Sequence, residues 1–129
     1  MRRLATIGIL WVVAATAGVA QPEIFNPVRD AIKSNDATAL VKSFAVSVDI
    51  NLEGNINTYS KAQSEFLLKD FFKKHPVTDF TIVHTGSSKG GLQFAIGRYL
   101  SANESYNVLI RVRQVGEPYL VHEISFVKE

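Results

Sequence analysis

From Thr78 to Lys128 the chain consists of four β-forming runs laid end to end, and this half of the sequence leaves few folds open. The runs Thr78 to Ser87, Leu92 to Ala102, Tyr106 to Val115 and Pro118 to Lys128 alternate apolar and polar side chains, the period-two pattern of strands with one buried face. Between them lie Ser88-Lys89-Gly90-Gly91, Asn103-Glu104 and Gly116-Glu117, which are hairpin-turn compositions. An antiparallel meander is the expected result. Its alternation assigns to the inner face Phe80 and Ile82, then Phe94, Ile96 and Leu100, then Val108, Ile110 and Val112, and finally Leu120, Ile124 and Phe126. Gly97, alone inside a β-forming run, is expected to mark a bulge or bend.

Ahead of the meander the period changes. Phe25, Val28 and Ile32 fall on one face of a helix in which Pro27 is tolerated in the first turn. Asp36 is a suitable N-cap for a second short helix carrying Leu40, Val41 and Phe44. Val46, Val48, Ile50 and Leu52 then alternate with Ser47, Asp49 and Asn51 as a strand, and Glu53-Gly54-Asn55 turns it into a short extended piece from Ile56 to Tyr59. The clearest helix follows, opened by the capping box Ser60 and Gln63 and closed by Lys73, Lys74 and His75 before Pro76. It presents Leu67, Leu68, Phe71 and Phe72 on one face, while Phe66 falls on the polar side without an evident reason. The order of elements predicts an α+β domain, a strongly bent antiparallel sheet with the N-terminal helices packed on its concave face around a partly open cavity.

The extreme N-terminus reads differently. Arg2 and Arg3 precede an apolar run from Leu4 to Val19, and the small residues Gly18 and Ala20 sit at −3 and −1 of a cleavage site before Gln21. Residues 1–20 are therefore expected to be a secretory signal peptide. The alternative is a retained anchor, against which stand the brevity of the run and the missing basic flank beyond it. Residues 21–129 are expected to form a single exported domain, periplasmic or extracellular, with no integral membrane segment once the signal is gone. Loss of Arg2 and Arg3 brings the 14 Lys and Arg level with the 12 Asp and Glu. A neutral domain has no electrostatic reason to seek nucleic acid. With no cysteine, it must draw its stability from its core.

Several local strings, Tyr59-Ser60-Lys61-Ala62-Gln63, Leu68-Lys69-Asp70-Phe71-Phe72, His84-Thr85-Gly86-Ser87 and Ala95-Ile96-Gly97, resemble those of domain-of-unknown-function family 4783, a group of exported bacterial proteins. More broadly, the order of elements resembles the nuclear-transport-factor-2-like superfamily, the cystatin-like α+β cone, over essentially all of residues 21–129. The resemblance implies a fold and no single activity, since the superfamily includes isomerases, dehydratases, ligand-binding modules and interaction domains. The narrower family brings no catalytic residues to carry over.

In such a fold the chemistry belongs to polar side chains that share the inner faces of the strands. By alternation these are His84, Arg98, Tyr106, Gln114 and His122, joined by Tyr59 at the strand-to-helix junction and by Tyr99 should the phase of its strand be reversed. A buried imidazole at His122 must find a partner or lose its charge, and its structural reading is a core histidine bonded to a hydroxyl or carbonyl. His84, near a strand end, stands evenly between pocket mouth and structure. A carboxylate base for isomerase chemistry is missing, because Asp49, Asp79 and Glu123 fall on the opposite parity. Two histidines without an acidic neighbour or a cysteine make no metal site, and no cofactor motif is present. The glycine-rich Gly86 to Gly91 segment lacks the Gly-Lys-Ser/Thr ending of a phosphate loop, and His75 reads as a helix-terminal residue facing the dipole.

These features favour a non-enzymatic module that binds a small ligand or a protein partner. The alternative is a small cofactor-free isomerase or dehydratase in which His84 or His122 is the base and Arg98 or a tyrosine stabilises the oxyanion. Leu109, Arg111, Arg113, Val121 and Val127 are expected on the outer face, where a second copy of the chain would cover them as a homodimer.

Overall fold

The computed structural model describes residues 23–129, so the expected signal segment lies outside the described residues. The element order matches the sequence pattern. A 3-10 turn, Glu23–Phe25, leads into α1 (Asn26–Lys33) and α2 (Ala37–Val41). Strands β1 (Phe44–Leu52) and β2 (Asn55–Ser60) precede α3 (Lys61–Lys74), and β3 (Asp79–Ser88), β4 (Leu92–Ser101), β5 (Glu104–Gln114) and β6 (Tyr119–Lys128) complete the chain. Pro27 occupies the first turn of α1, and the Asp36 carboxylate accepts from the Ala39 amide at 3.0 Å to cap α2. On α3 both halves of the capping box form: Ser60 Oγ accepts from Gln63 N at 3.2 Å, and Gln63 Oε1 accepts from Ser60 N at 3.0 Å.

The six strands form one sheet in the order β2-β1-β6-β5-β4-β3. The meander is antiparallel throughout, but β1 runs parallel to β6, so the sheet is mixed where alternation alone suggested an antiparallel one. Parallel pairing needs a long crossover, and β2, α3 and the first three strands of the meander supply it. The three helices cover one face. Phe25, Val28 and Ile32 from the first segment, Leu40 from α2 and Leu68, Phe71 and Phe72 from α3 bury themselves against Val48, Ile50, Phe80, Tyr99, Tyr106, Val108, Ile110 and Phe126. Phe66 remains 80% exposed on the far side of α3.

On β1 Val46, expected to share the buried face with Val48 and Ile50, is exposed where the register with β6 shifts, and within the meander strand phase departs from the expected pattern in three further places. On β4 the buried positions are Ala95, Gly97, Tyr99 and Ser101, while Phe94, Ile96, Arg98 and Leu100 face away from the helices. Both faces of this strand are apolar, so alternation does not choose between them. Steric demand does, since a Cβ on Gly97 would lie 2.8 Å from the Phe80 ring and 2.9 Å from the Thr81 carbonyl. The irregularity expected at Gly97 falls in its neighbour β3, whose register with β4 shifts between Ile82 and His84 and leaves Val83 as the extra residue. A second shift, between Arg111 and Val112 of β5, makes His122 the extra residue of β6. It turns Val121 inward and fully buries it, correcting its expected place on the outer face.

Candidate functional site

The space between helices and sheet, expected to hold a cavity, is filled with rings. Phe71 is the hub, its centroid 4.8 Å from that of Phe126, 5.4 Å from Tyr106 and 5.9 Å from Tyr99, with Phe72 beside them. Tyr99 and Tyr106 stand directly opposite each other on β4 and β5, both fully buried, and point their hydroxyls to the end of the domain where α3 terminates.

A polar cluster forms there. Tyr99 Oη donates to the His75 carbonyl and accepts from Asn35 Nδ2 at 3.1 Å, while Asn35 Oδ1 accepts from Val77 N at 2.8 Å. Glu104, from the first position of β5, receives His75 Nδ1 (2.8 Å) and the Tyr106 hydroxyl (3.2 Å) on Oε1 and Lys128 Nζ (2.9 Å) on Oε2. Because a carboxylate only accepts, this geometry places a proton on His75 Nδ1. The hydrogen bond from Lys128, then that from His75, holds the Glu104 carboxyl down at about 2. Burial first, then the Glu53 and Glu104 carboxylates, pushes Tyr106 up to about 12, and burial likewise raises Tyr99.

The structure brings Tyr99 and Tyr106 together and disperses the other five expected site residues. The bulge at Val83 turns His84 to the outer face, exposed, with its ring 5.9 Å from that of Phe94. Arg98, on the outer phase of β4, is exposed and paired with Glu129 at 3.4 Å. Gln114 is exposed at the β5–β6 turn, donating to the Glu117 carbonyl at 3.3 Å. Tyr59 is half-buried on β2 against the edge of the core. His122 is half-buried at its bulge, its Nδ1 shielded from solvent and without a hydrogen-bond partner. Desolvation, followed by the Arg113 guanidinium, lowers its pKa. His75, read from the sequence as a helix-terminal residue, and Glu104, read as part of a turn, complete the polar cluster without having been among the expected site residues. They are 29 residues apart, and only the opposed pair Tyr99 and Tyr106 hints at a shared end of the sheet.

Open space lies on the outer face and at the margins of this core. On the outer face, beside the β3–β4 hairpin, a cleft of about 290 Å³ is walled by Leu92, Phe94, Ile96 and Leu109, with Ser88, Gln93 and Arg111 as its polar lining. Gly86 makes this wall possible, since a Cβ there would lie 2.5 Å from Phe94 Cζ. A broader groove of about 510 Å³ runs between α1 and β3 with Arg29, Asp30, Lys33 and Thr81 on its rim. Phe66 sits in a shallow depression with Ala62, Glu65 and Lys69. Among the described residues no three histidine, aspartate, glutamate or cysteine side chains are grouped to hold a metal ion, and no helix is long and apolar enough to cross a membrane.

Residues 25–127 match the family described as Domain of unknown function (DUF4783). The chain belongs to this family. A DUF4783 protein of Bacteroides uniformis is 27% identical, with a TM-score of 0.76 over 81% of this chain and 95% of the other. One from Bacteroides ovatus is 25% identical, with the same TM-score over 80% of this chain and 93% of the other. An NTF2-like protein of unknown function from Shewanella baltica, 13% identical, aligns with a TM-score of 0.64 over 92% of this chain and 96% of the other, a likeness of fold alone. A cystatin-like domain of unknown function from Nostoc punctiforme, 11% identical, aligns with a TM-score of 0.66 over 90% of this chain and 78% of the other. The DUF4783 chain thus has the NTF2-like, cystatin-like α+β fold. No curated protein matches it.

Proposed function

We propose that this DUF4783 chain is an exported, non-enzymatic module that binds a small molecule in the cleft on the outer face of its sheet. The observation that carries this reading is a contrast between two places. The inner face is packed with aromatic rings, whereas the outer face keeps a partly enclosed space of about 290 Å³ with four apolar walls. A concave apolar surface with a few polar groups is the usual form of a small-molecule site. Export is supported by Arg2 and Arg3, the apolar run behind them and the small residues Gly18 and Ala20. The neutral apolar fluorophore N-phenyl-1-naphthylamine tests the binding reading. Its emission should rise saturably with the purified protein and fail to rise with Ile96→Glu, whose own dispersed NMR spectrum reports that it folds. No rise with the unmutated protein defeats the reading.

A proton-transfer reading has one observation in its favour, the Glu104 to His75 hydrogen bond, which orients an imidazole as carboxylates do in catalytic sites. Against it, the cluster lines none of the three clefts described above. Glu104 is also neutralised by Lys128. Exchange of a ketone α-proton catalysed by the protein and lost in His75→Gln would reverse the choice.

A further inference from the structure

We propose that the outer-face cleft takes a medium-chain carboxylate, with its hydrocarbon chain on Phe94, Ile96 and Leu109 and its head group on Arg111. This rests on the reading of the domain as a binding module and adds the chemical class of the ligand. Size comes first. At about 290 Å³ the cleft lies just below the range of roughly 300 to 1,000 Å³ found for small-molecule pockets, which favours a single short chain over a ring system or a diacyl lipid. Shape agrees, because the Phe94 ring, packed over the bare backbone of Gly86, forms part of an apolar wall along which a hydrocarbon chain can lie.

Charge then selects the head group. Arg111 lines the cleft, and Arg113 stands on the same face of β5, opposite the cleft residue Leu92. Among the described residues Arg111 makes one ion pair, from Nε to Glu123 at 3.7 Å, longer than a hydrogen bond, which leaves guanidinium donors for a ligand. Arg113 makes no ion pair among them. A guanidinium presents paired donors that match the two oxygens of a carboxylate, whereas a cationic ligand would be repelled and a neutral one would leave those donors unused. Ser88 adds a hydroxyl to the lining.

The test is an NMR titration of the ¹⁵N-labelled protein with decanoate and, separately, with decan-1-ol at pH 7.5. Decanoate should shift the amides of Phe94, Ile96, Leu109 and Arg111 to saturation and bind about tenfold more tightly than the alcohol, the difference expected of a charge-assisted contact. Arg111→Gln should bring the two affinities within about twofold of each other, chiefly by weakening decanoate. Equal affinities in the unmutated protein, or shifts confined to another surface such as that around Phe66, overturn the proposal. If the naphthylamine probe binds in the cleft but decanoate does not displace it, the ligand class is wrong and the binding module stands. If neither binds, the module reading falls and takes this inference with it.

Discussion

Glu104 gathers three donors on two oxygens at the solvent edge of the domain, and this couples its protonation to the stability of the fold. Its carboxyl is held at about 2, below the ordinary 4.5. A depressed carboxylate contributes stability that is fully present above the unfolded value and is lost as pH falls from about 4.5 through about 2. Thermal unfolding of the unmutated protein should therefore decline through that window, and Glu104→Gln, melting lower at pH 7, should show a shallower acid decline. Parallel curves for the two proteins would show that the cluster has no such role. The buried hydroxyl of Tyr99 acts on a different link, joining the α1–α2 turn through Asn35 to the end of α3 through the His75 carbonyl. Tyr99→Phe leaves both partners without their bond in a part-buried site. It should cost about 1 to 3 kcal/mol in urea unfolding, with an unchanged denaturant slope.

Among the elements, α3 and the strand phases respond to different physics. Phe71 of α3 touches Tyr99, Tyr106 and Phe126 at once, so Phe71→Ala should cost roughly 3 to 5 kcal/mol; a near-neutral effect would mean that the helix is docked by other residues. This contact was legible in the sequence, because the capping box and the i, i+3, i+4 spacing of Leu68, Phe71 and Phe72 fix both the start of the helix and the side it buries. The faces of the strands were less so. One extra residue reverses every later side chain, and neither Val83 nor His122 carries a turn-forming signature, so His84 was read on the wrong face and His122, itself the extra residue of β6, was read as part of the alternation. On β4 the ambiguity was chemical. Phe94, Ile96 and Leu100 look more like core than Ala95, Gly97 and Tyr99 until Phe80 is seen to need the space at Gly97. Gly97→Ala tests that packing, with an expected loss of about 1 to 3 kcal/mol from overpacking, and a stabilised variant would refute it.

For the whole molecule the question is where the cooperative unit begins. The sheet is assembled from both ends of the chain, β1 lying beside β6 in parallel while the segment preceding β1 packs over the inner face. The first described residues share one buried core with the last strand, so the N-terminal segment from Glu23 belongs to the fold and is not an appendage to it. Phe25 is the outermost of these anchors, only 1% exposed and packed in the same core as Phe126. The family match begins at the same residue. A chain starting at Gln21, the end expected after signal cleavage, retains the whole of this core and should unfold in a single transition. A chain starting at Pro27 lacks Phe25. Losing a buried phenylalanine costs about 3 to 5 kcal/mol, which in a domain of this size corresponds to a fall in midpoint of roughly 10 °C or more. Calorimetry of the two chains decides between this view and its opposite. Equal midpoints would place the start of the folding unit beyond Phe25 and remove the Glu23–Phe25 turn from the elements that hold the core together.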